Sequence, residues 1–391
     1  MSGGKADVAI VGGGLSGGLI ALALQQSRPD CQVVLLEGGE TLGGNHRWSW
    51  FASDCDSEGE AVLARFRKSR WDGYDVVFPA HSRRLETSYF SLASHDFDAA
   101  LRRELAPQTI RTGAVAQHCT HDSVTLASGE IVNARSVIDC RGFSPSPHVR
   151  GGWQVFMGRH MRTRTPHGIA HPVIMDASVD QTHGYRFVYV LPLGASDIFI
   201  EDTYYQDTPE LDRSALSGRL DAYAGDQGWE GDIIGSETGV LPVVTGGDFS
   251  AYRRDAGLDR VATAGTGALL AHPLTSYTVP FAVRTAQLVA QNADLPGDQL
   301  AALLADQARQ HWNRTGYYRL LGSMLFGAAS PRERYRVFER FYRLDRDLIE
   351  RFYAGRSTLG DKLRVLSGKP PVPVLRAIAA IANKQPPLVA R

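Results

Sequence analysis

The stretch Asp7–Glu37, DVAIVGGGLSGGLIALALQQSRPDCQVVLLE, restricts what this chain can fold into more than any other. It opens with an apolar run, Val8–Val11, of buried-strand length. Gly12-x-Gly14-x-x-Gly17 follows at once, and the residues after it have helical spacing, with Leu15, Leu19 and Leu22 on one face up to Arg28-Pro29. A second apolar run, Val33–Leu36, closes on Glu37, twenty residues after Gly17. Strand, glycine turn, helix, strand and acid in this order form a dinucleotide-binding βαβ unit. Gly12 permits the tight turn, Gly14 lets the backbone approach a pyrophosphate, and Gly17 lets helix pack on strand. The helix N-terminus offers free amides and partial positive charge to the phosphates. Glu37 is placed to accept hydrogen bonds from an adenosine ribose. A motif at the very start of the chain, with the further pair Gly43-Gly44 soon after the acid, points to FAD rather than NAD.

The totals exclude several classes. At 391 residues the chain can bury a large core in two or three domains. Forty-two basic residues balance forty-two acidic ones, which leaves no electrostatic footprint for nucleic acid. Cys31, Cys55, Cys119 and Cys140 show no CxxC pair and read as reduced thiols of a cytosolic protein. Twelve histidines include no HExxH, so no metal is expected. The Val8–Val11 run is too short for a signal-peptide core. No apolar run approaches the roughly 18 residues needed to span a bilayer.

After Glu37, the polar segment Gly43–Ser49 reads as a loop whose Arg47 would face a flavin's diphosphate or ribityl chain. Phe97–Leu105 has helical spacing, and Val124–Val132 alternates around Ser128-Gly129 as a hairpin. The strand Ala134–Asp139 ends in Asp139-Cys140-Arg141-Gly142, the second cofactor contact of two-dinucleotide-fold flavoproteins. From Gly151 to Thr203 the texture changes to strands, with candidates at Val173–Asp176, Tyr185–Pro192 and Asp197–Thr203. These read as an antiparallel substrate layer inserted into the cofactor domain. Glu201 and Asp202 are adjacent on the last strand and so point to opposite faces. Leu211–Tyr223 reads as a helix. Val261–Ala264, Gly265-Thr266-Gly267, His272-Pro273 and the helical run Phe281–Asn292 form a third cofactor contact, although Thr266 stands where many such proteins have an acid. Beyond Leu300 the chain is helical, and Trp312–Phe326 with the arginine-rich Arg332–Arg351 suits either a bilayer interface or an ordinary packed domain.

Taken together, these elements predict an α/β, two-dinucleotide-binding-domain flavoprotein with a Rossmann-type FAD domain, an inserted antiparallel-sheet substrate domain and a C-terminal helical region. The FAD domain takes residues 1–65, 90–150 and 255–300, the substrate layer 66–89 and 151–254, and the helical region 301–391.

Five stretches carry a resemblance. DVAIVGGGLSGGLIALAL, GGNHRWS, the block PVIMDASVDQTHGYRFVYVLPL running to FIEDT, HPLTSYTVP and RFYAGRSTLGDKLRVLSGKPPVPV together resemble the bacterial lycopene β-cyclases. The likeness runs from Asp7 to Val374, and the family commonly has Thr-Gly-Tyr where this chain has Thr275-Ser276-Tyr277. It implies a flavoprotein that works with reduced FAD, with NADPH as the electron source, yet does no net redox chemistry. Its partners would be lycopene and other acyclic-ended carotenoids and a membrane surface. Its place would be the cytoplasm, peripherally on the inner face of the cell membrane. Each linear end of lycopene would be closed by acid catalysis into a β-ionone ring, through γ-carotene to β-carotene. The glutamate of the family's I-E-D-T motif falls on Glu201 as catalytic acid/base, with Asp202 linked to the same site. The cofactor set would be Gly12, Gly14, Gly17, Glu37, Arg47, Val115, Asp139, Gly142, Gly265, Gly267, Thr275 and Ser276.

An unactivated alkene demands a strong, poised acid, and a carboxyl in a greasy pocket keeps its proton at neutral pH because desolvation disfavours the anion. The competing readings are an FAD-dependent aromatic-type monooxygenase, an isoprenoid reductase of the same superfamily, and a flavin-bearing binding protein without turnover. A monooxygenase acting on a polar aromatic would want positive side chains in its pocket, and the sequence assigns none.

Overall fold

The computed structural model describes residues 6–181, 184–258, 260–368, 374–382 and 385–389. Thr182 and His183 of the resembling block, Lys369–Pro373 of the SGKPPVPV stretch, and the remaining positions of the three spans assigned above lie outside the described residues.

The fingerprint folds as a βαβ unit. The strand Ala6–Val11 runs parallel to both Val33–Leu36 and Ile131–Asp139, with the helix Leu15–Ser27 between the first two. They belong to a seven-stranded sheet ordered Ile110–Arg111, Val33–Leu36, Ala6–Val11, Ile131–Asp139, Ser123–Leu126, Ala116–Cys119, with Ala262–Thr263 added in parallel beside Ile131–Asp139. The second arm of the hairpin around Ser128-Gly129 and the strand ending at Asp139 are one nine-residue element. Its first half pairs antiparallel at the rim and its buried second half pairs parallel in the core. The helix Val279–Gln291 packs on Leu15–Ser27, so early and late parts of the chain share one core.

A second sheet holds the strands Gly231–Gly247, Ser146–Thr163, Asp197–Gln206, Tyr185–Pro192, Val173–Asp176, Tyr74–Phe78 and His81–Leu85 in that order. All neighbours are antiparallel except Val173–Asp176 with Tyr74–Phe78, which corrects the purely antiparallel expectation. The two longest strands, Ser146–Thr163 and Gly231–Gly247, are absent from the sequence reading. Their glycines and prolines look like turn signals, but here the glycines admit neighbouring rings. The rings of Phe326 and Phe156 sit where side chains on Gly152 and Gly239 would be.

Residues 47–49, expected as the end of a loop, instead open the strand Arg47–Phe51, which pairs with Tyr89–Ala93, which in turn pairs with Ser69–Trp71 in a small third sheet. Residues 43–46 remain as the turn before it, with Gly43 and Gly44 both at positive φ.

The C-terminal helices close over this framework. Tyr318, Leu325, Phe326, Phe338 and Phe352 enter one aromatic core with Phe51, Tyr74, Tyr185 and Phe187. The stretch Trp312–Phe326 is therefore mostly interior. Several of the arginines after it serve as structural links: buried Arg334 bonds the carbonyls of Tyr205 and Phe326, and Arg351 pairs with Asp361 at 2.7 Å. Exposed apolar side chains occur instead at Leu359, Leu363, Leu366, Leu375 and Ile378. The short strand Pro387–Leu388 returns to pair with Ser146–Thr163. No helix among the described residues is long and apolar enough to cross a membrane.

Candidate active site

One cavity of about 640 Å³ runs from the glycine fingerprint to Glu201 and takes lining residues from all three sheets. At the fingerprint end Gly12 adopts φ +98, and a side chain on Gly14 would meet no protein atom within 4 Å. Glu37 accepts hydrogen bonds from the amides of Gly13 (2.7 Å) and Gly39 (2.8 Å), which ties the end of its strand to the glycine turn. Val115, Gly142 and Gly265 complete this wall.

Three of the residues assigned to the cofactor do not line the cavity. Gly17 and Gly267 are packing glycines: a side chain on the first would strike the carbonyl of Gly12, and one on the second would lie 2.7 Å from the carbonyl of Arg141. Asp139 is buried and turned aside to Arg141, which it meets at 2.6 Å. The carboxylate orients the loop, and Arg141 and Gly142 face the cavity.

Further along, Thr275 and Ser276 form the turn before the helix Val279–Gln291. Ser276 adopts φ +59, the left-handed region that favours glycine, and its hydroxyl donates to the carbonyl of Pro242 at 3.2 Å. That bond offsets part of the roughly 1–2 kcal/mol cost of this backbone for a residue with a side chain. The hydroxyl of Thr275, the amide oxygen of Gln154 and Nε of Arg47 are buried in the lining without a hydrogen-bond partner in the protein. Orphaned polar atoms beside a glycine wall open to a backbone-close ligand fit a dinucleotide cofactor carrying its own donors and acceptors.

The far end is aromatic and acidic. Tyr89, Tyr189, Tyr277, Phe156 and Phe199 surround Glu201, which is 9% exposed. Across the second sheet Glu237, Gly158, Glu201 and Tyr189 stand in one row, register partner to register partner. Gly158 has no side chain, so the two glutamates lean over it, and their carboxyl groups are in hydrogen-bonding contact. A methyl group on Gly158 would sit 3.1 Å from Cγ of Glu237. Burial, then the charge of Glu237, pushes the Glu201 carboxyl well above the usual carboxylate range, while Thr203 donates to it at 2.8 Å. Burial also raises Glu237, opposed by the nearby Arg47 guanidinium and by a hydrogen bond from the Arg47 backbone amide. Arg47 lies 5.1 Å over the ring of Phe199 and donates to Ser91 at 3.2 Å.

Asp202 does not reach the cavity. It faces the other side of the sheet, wholly buried, where Nε of Arg186 donates to it at 2.8 Å. Breaking such a pair costs about 3–5 kcal/mol because the surviving charge is left in the interior. Asp202→Ala is therefore expected to lower the thermal unfolding midpoint sharply, as followed by circular dichroism, with no change in the pH dependence of turnover in the protein that remains folded.

Sequence reasoning missed Glu237, because a single acid in a glycine-rich stretch matches no motif. The one available signal was its period-two spacing with Gly239 and Leu241. It also missed one of the cavity's cations, Arg319. Besides Arg47, buried Arg319 lines the wall with its guanidinium 3.7 Å over the Trp312 ring and a 2.8 Å hydrogen bond to Thr315.

The comparisons with known proteins agree with one another. Residues 7–379 match the lycopene cyclase protein family. A lycopene beta-cyclase of Pseudescherichia vulneris is 42% identical over 381 residues, covering 97% of this chain and 98% of that one. One of Pantoea ananas is 40% identical over 376 residues, covering 96% and 97%. Among solved structures, a geranylgeranyl bacteriochlorophyll reductase-like protein from Thermoplasma acidophilum is 15% identical, covers 94% of this chain and 97% of its own, and has a TM-score of 0.58. A probable FAD-dependent monooxygenase from Pseudomonas aeruginosa is 16% identical, covers 87% and 100%, and has a TM-score of 0.56. The architecture is thus that of the Rossmann-type flavoproteins, and the sequence places the chain within one branch of them: it belongs to the lycopene cyclase family.

Proposed function

We propose that this protein is a lycopene β-cyclase that closes the linear ends of lycopene into β-ionone rings without net oxidation or reduction. The observation that carries the reading is Glu201, a carboxyl buried in an aromatic cavity where burial favours its protonated form, on a chain 42% identical to a lycopene beta-cyclase. FAD bound along the fingerprint wall would supply, in its reduced form, negative charge beside the developing cation, and NADPH is the proposed source of its electrons. Gly12, Gly14 and Glu37 would hold its adenosine diphosphate end, with Gly142, Gly265, Thr275 and Ser276 along its length.

Glu201 gives its proton to a terminal double bond, which leaves a tertiary cation. The neighbouring double bond supplies the electron pair that closes the ring, and a ring proton then returns to carboxylate. Tyr89, Tyr189 and Phe199 line this end of the cavity and exclude water, and aromatic rings there would favour a cation. Lycopene incubated anaerobically with the protein and reduced FAD should yield γ-carotene and then β-carotene, with no nicotinamide oxidised per ring. Stoichiometric oxidation would favour a reductase or monooxygenase instead.

So apolar a substrate resides in a bilayer, and we place the membrane contact on the helices Leu359–Leu366 and Val374–Ala382. Their exposed Leu359, Leu363, Leu375 and Ile378 are accompanied by exposed Arg364 and Arg376, the combination that seats a helix at an anionic lipid surface. Leu359→Ser with Leu363→Ser should weaken sedimentation with anionic liposomes several-fold, and salt should weaken wild-type binding without abolishing it. Undiminished binding by the double variant would move the contact elsewhere.

A further inference from the structure

The contact between Glu201 and Glu237 is built into the sheet. The two residues lie on strands that never pair with each other, separated by Ser146–Thr163, so their backbones stand about 10 Å apart. They meet because both register partners coincide at Gly158, whose missing side chain leaves room for the Phe199 ring and the Glu237 side chain, which would lie 2.4 Å and 3.1 Å from a methyl group there. Two buried carboxyl groups in contact strongly disfavour the doubly ionised state at rest, since like charges at this distance in a poorly solvated site repel strongly. One proton must bridge them. Arg47 biases where it sits: its charge favours the anion of both carboxyls, with Glu237 the larger partner and Glu201 the smaller, and its backbone amide favours Glu237 alone. Glu237 does not line the cavity, whereas Glu201 does.

We propose that Glu201 and Glu237 share a single proton, and that Glu237, held by Arg47, is the positioning residue that keeps it on Glu201 between turnovers. The inference rests on the cyclase reading for its chemistry but not for its geometry. The step balances. The O–H bond of Glu201 breaks as a C–H bond forms on the substrate, and the site then holds two carboxylates, only one of them compensated by Arg47. That excess charge makes the pair a strong base, which recovers the proton from the ring cation as the final C–H bond breaks. No electrons enter or leave, and the pair returns to one proton and one charge.

The other groups facing the pair are Thr203, Tyr89 and Tyr189 around Glu201, with Asp96 and His160 reaching it only through Arg47. Burial keeps His160 below its usual value, so it adds no charge near neutral pH. The carboxyl pair and Arg47 therefore govern the titration. A raised acid is active below its pKa and loses its proton as pH rises through it, so Glu201 sets the alkaline limb of activity.

The test is the pH–rate profile of the FAD-loaded protein, with the carboxylic C=O stretch followed by infrared spectroscopy over the same range. Glu237→Gln removes the neighbouring charge and leaves Arg47 to act on Glu201 alone. The alkaline limb and the infrared midpoint should both fall by about one pH unit or more, with FAD retained. Glu237→Asp should restore the limb in part. An unmoved limb and midpoint in Glu237→Gln would overturn the proposal and leave Glu237 a packing residue. Should that variant fail to fold, Glu237→Asp decides: an infrared midpoint and alkaline limb that shift when the side chain is shortened away from Glu201 support the pair, and an unmoved midpoint and limb refute it. If wild type forms no rings, the cyclase reading fails while the infrared result still judges the pair.

Discussion

Glu201→Gln is expected to abolish most ring formation while leaving a folded protein that binds FAD. The amide preserves the shape of the side chain and can still receive the hydrogen bond from Thr203, now 2.8 Å from Oε1. It has no proton acidic enough to give to an alkene. General acid–base groups contribute about a hundred- to ten-thousandfold in rate. No other acid lines the aromatic end of the cavity among the described residues, so the loss should sit at the upper end of that range. Chromatography of carotenoids formed from lycopene under reducing, anaerobic conditions measures it. Near wild-type production of β-carotene by this variant would remove Glu201 from the chemistry. Because Glu201 lies far along the cavity from Gly14, the flavin spectrum of the purified variant should match that of wild type.

Gly14→Val should have an effect of comparable size on a different quantity, the occupancy of FAD. The position is a clean probe because the protein leaves it empty: a side chain there meets nothing within 4 Å except the cavity. Folding should therefore be close to normal, and only a pyrophosphate lying against this backbone would be displaced. Gly17→Ala is the contrasting case. Its side chain would collide with the Gly12 carbonyl and force helix from strand, so it should lower the unfolding midpoint itself. Equal FAD content in Gly14→Val and wild type, by absorbance after gel filtration, would move the cofactor off the fingerprint. Loss of FAD together with loss of fold would show that the empty space at Gly14 is filled by protein in solution.

Much of this molecule was legible in its sequence wherever a feature depends on neighbours in the chain. The βαβ unit at Asp7–Glu37, the strands Val173–Asp176 and Tyr185–Pro192, and the opposite facing of Glu201 and Asp202 all follow from local periodicity and from glycines that serve their own turn. The belonging of the chain to the lycopene cyclase family was likewise readable from short, specific blocks such as FIEDT. Tertiary structure alone decided the rest, because those features join residues that are far apart in sequence. The two longest strands were hidden by glycines whose missing side chains make room for rings from elsewhere in the chain. The aromatic tail looked like an interface until Tyr318, Leu325 and Phe326 found their partners inside, which shifted the exposed apolar surface to Leu359–Leu366 and beyond. Asp139, which looked like a cofactor ligand, was claimed by Arg141 two residues on. The encounter of Glu201 with Glu237 needed the register of three strands to converge on Gly158, a coincidence that no local pattern encodes and that only the assembled sheet can create.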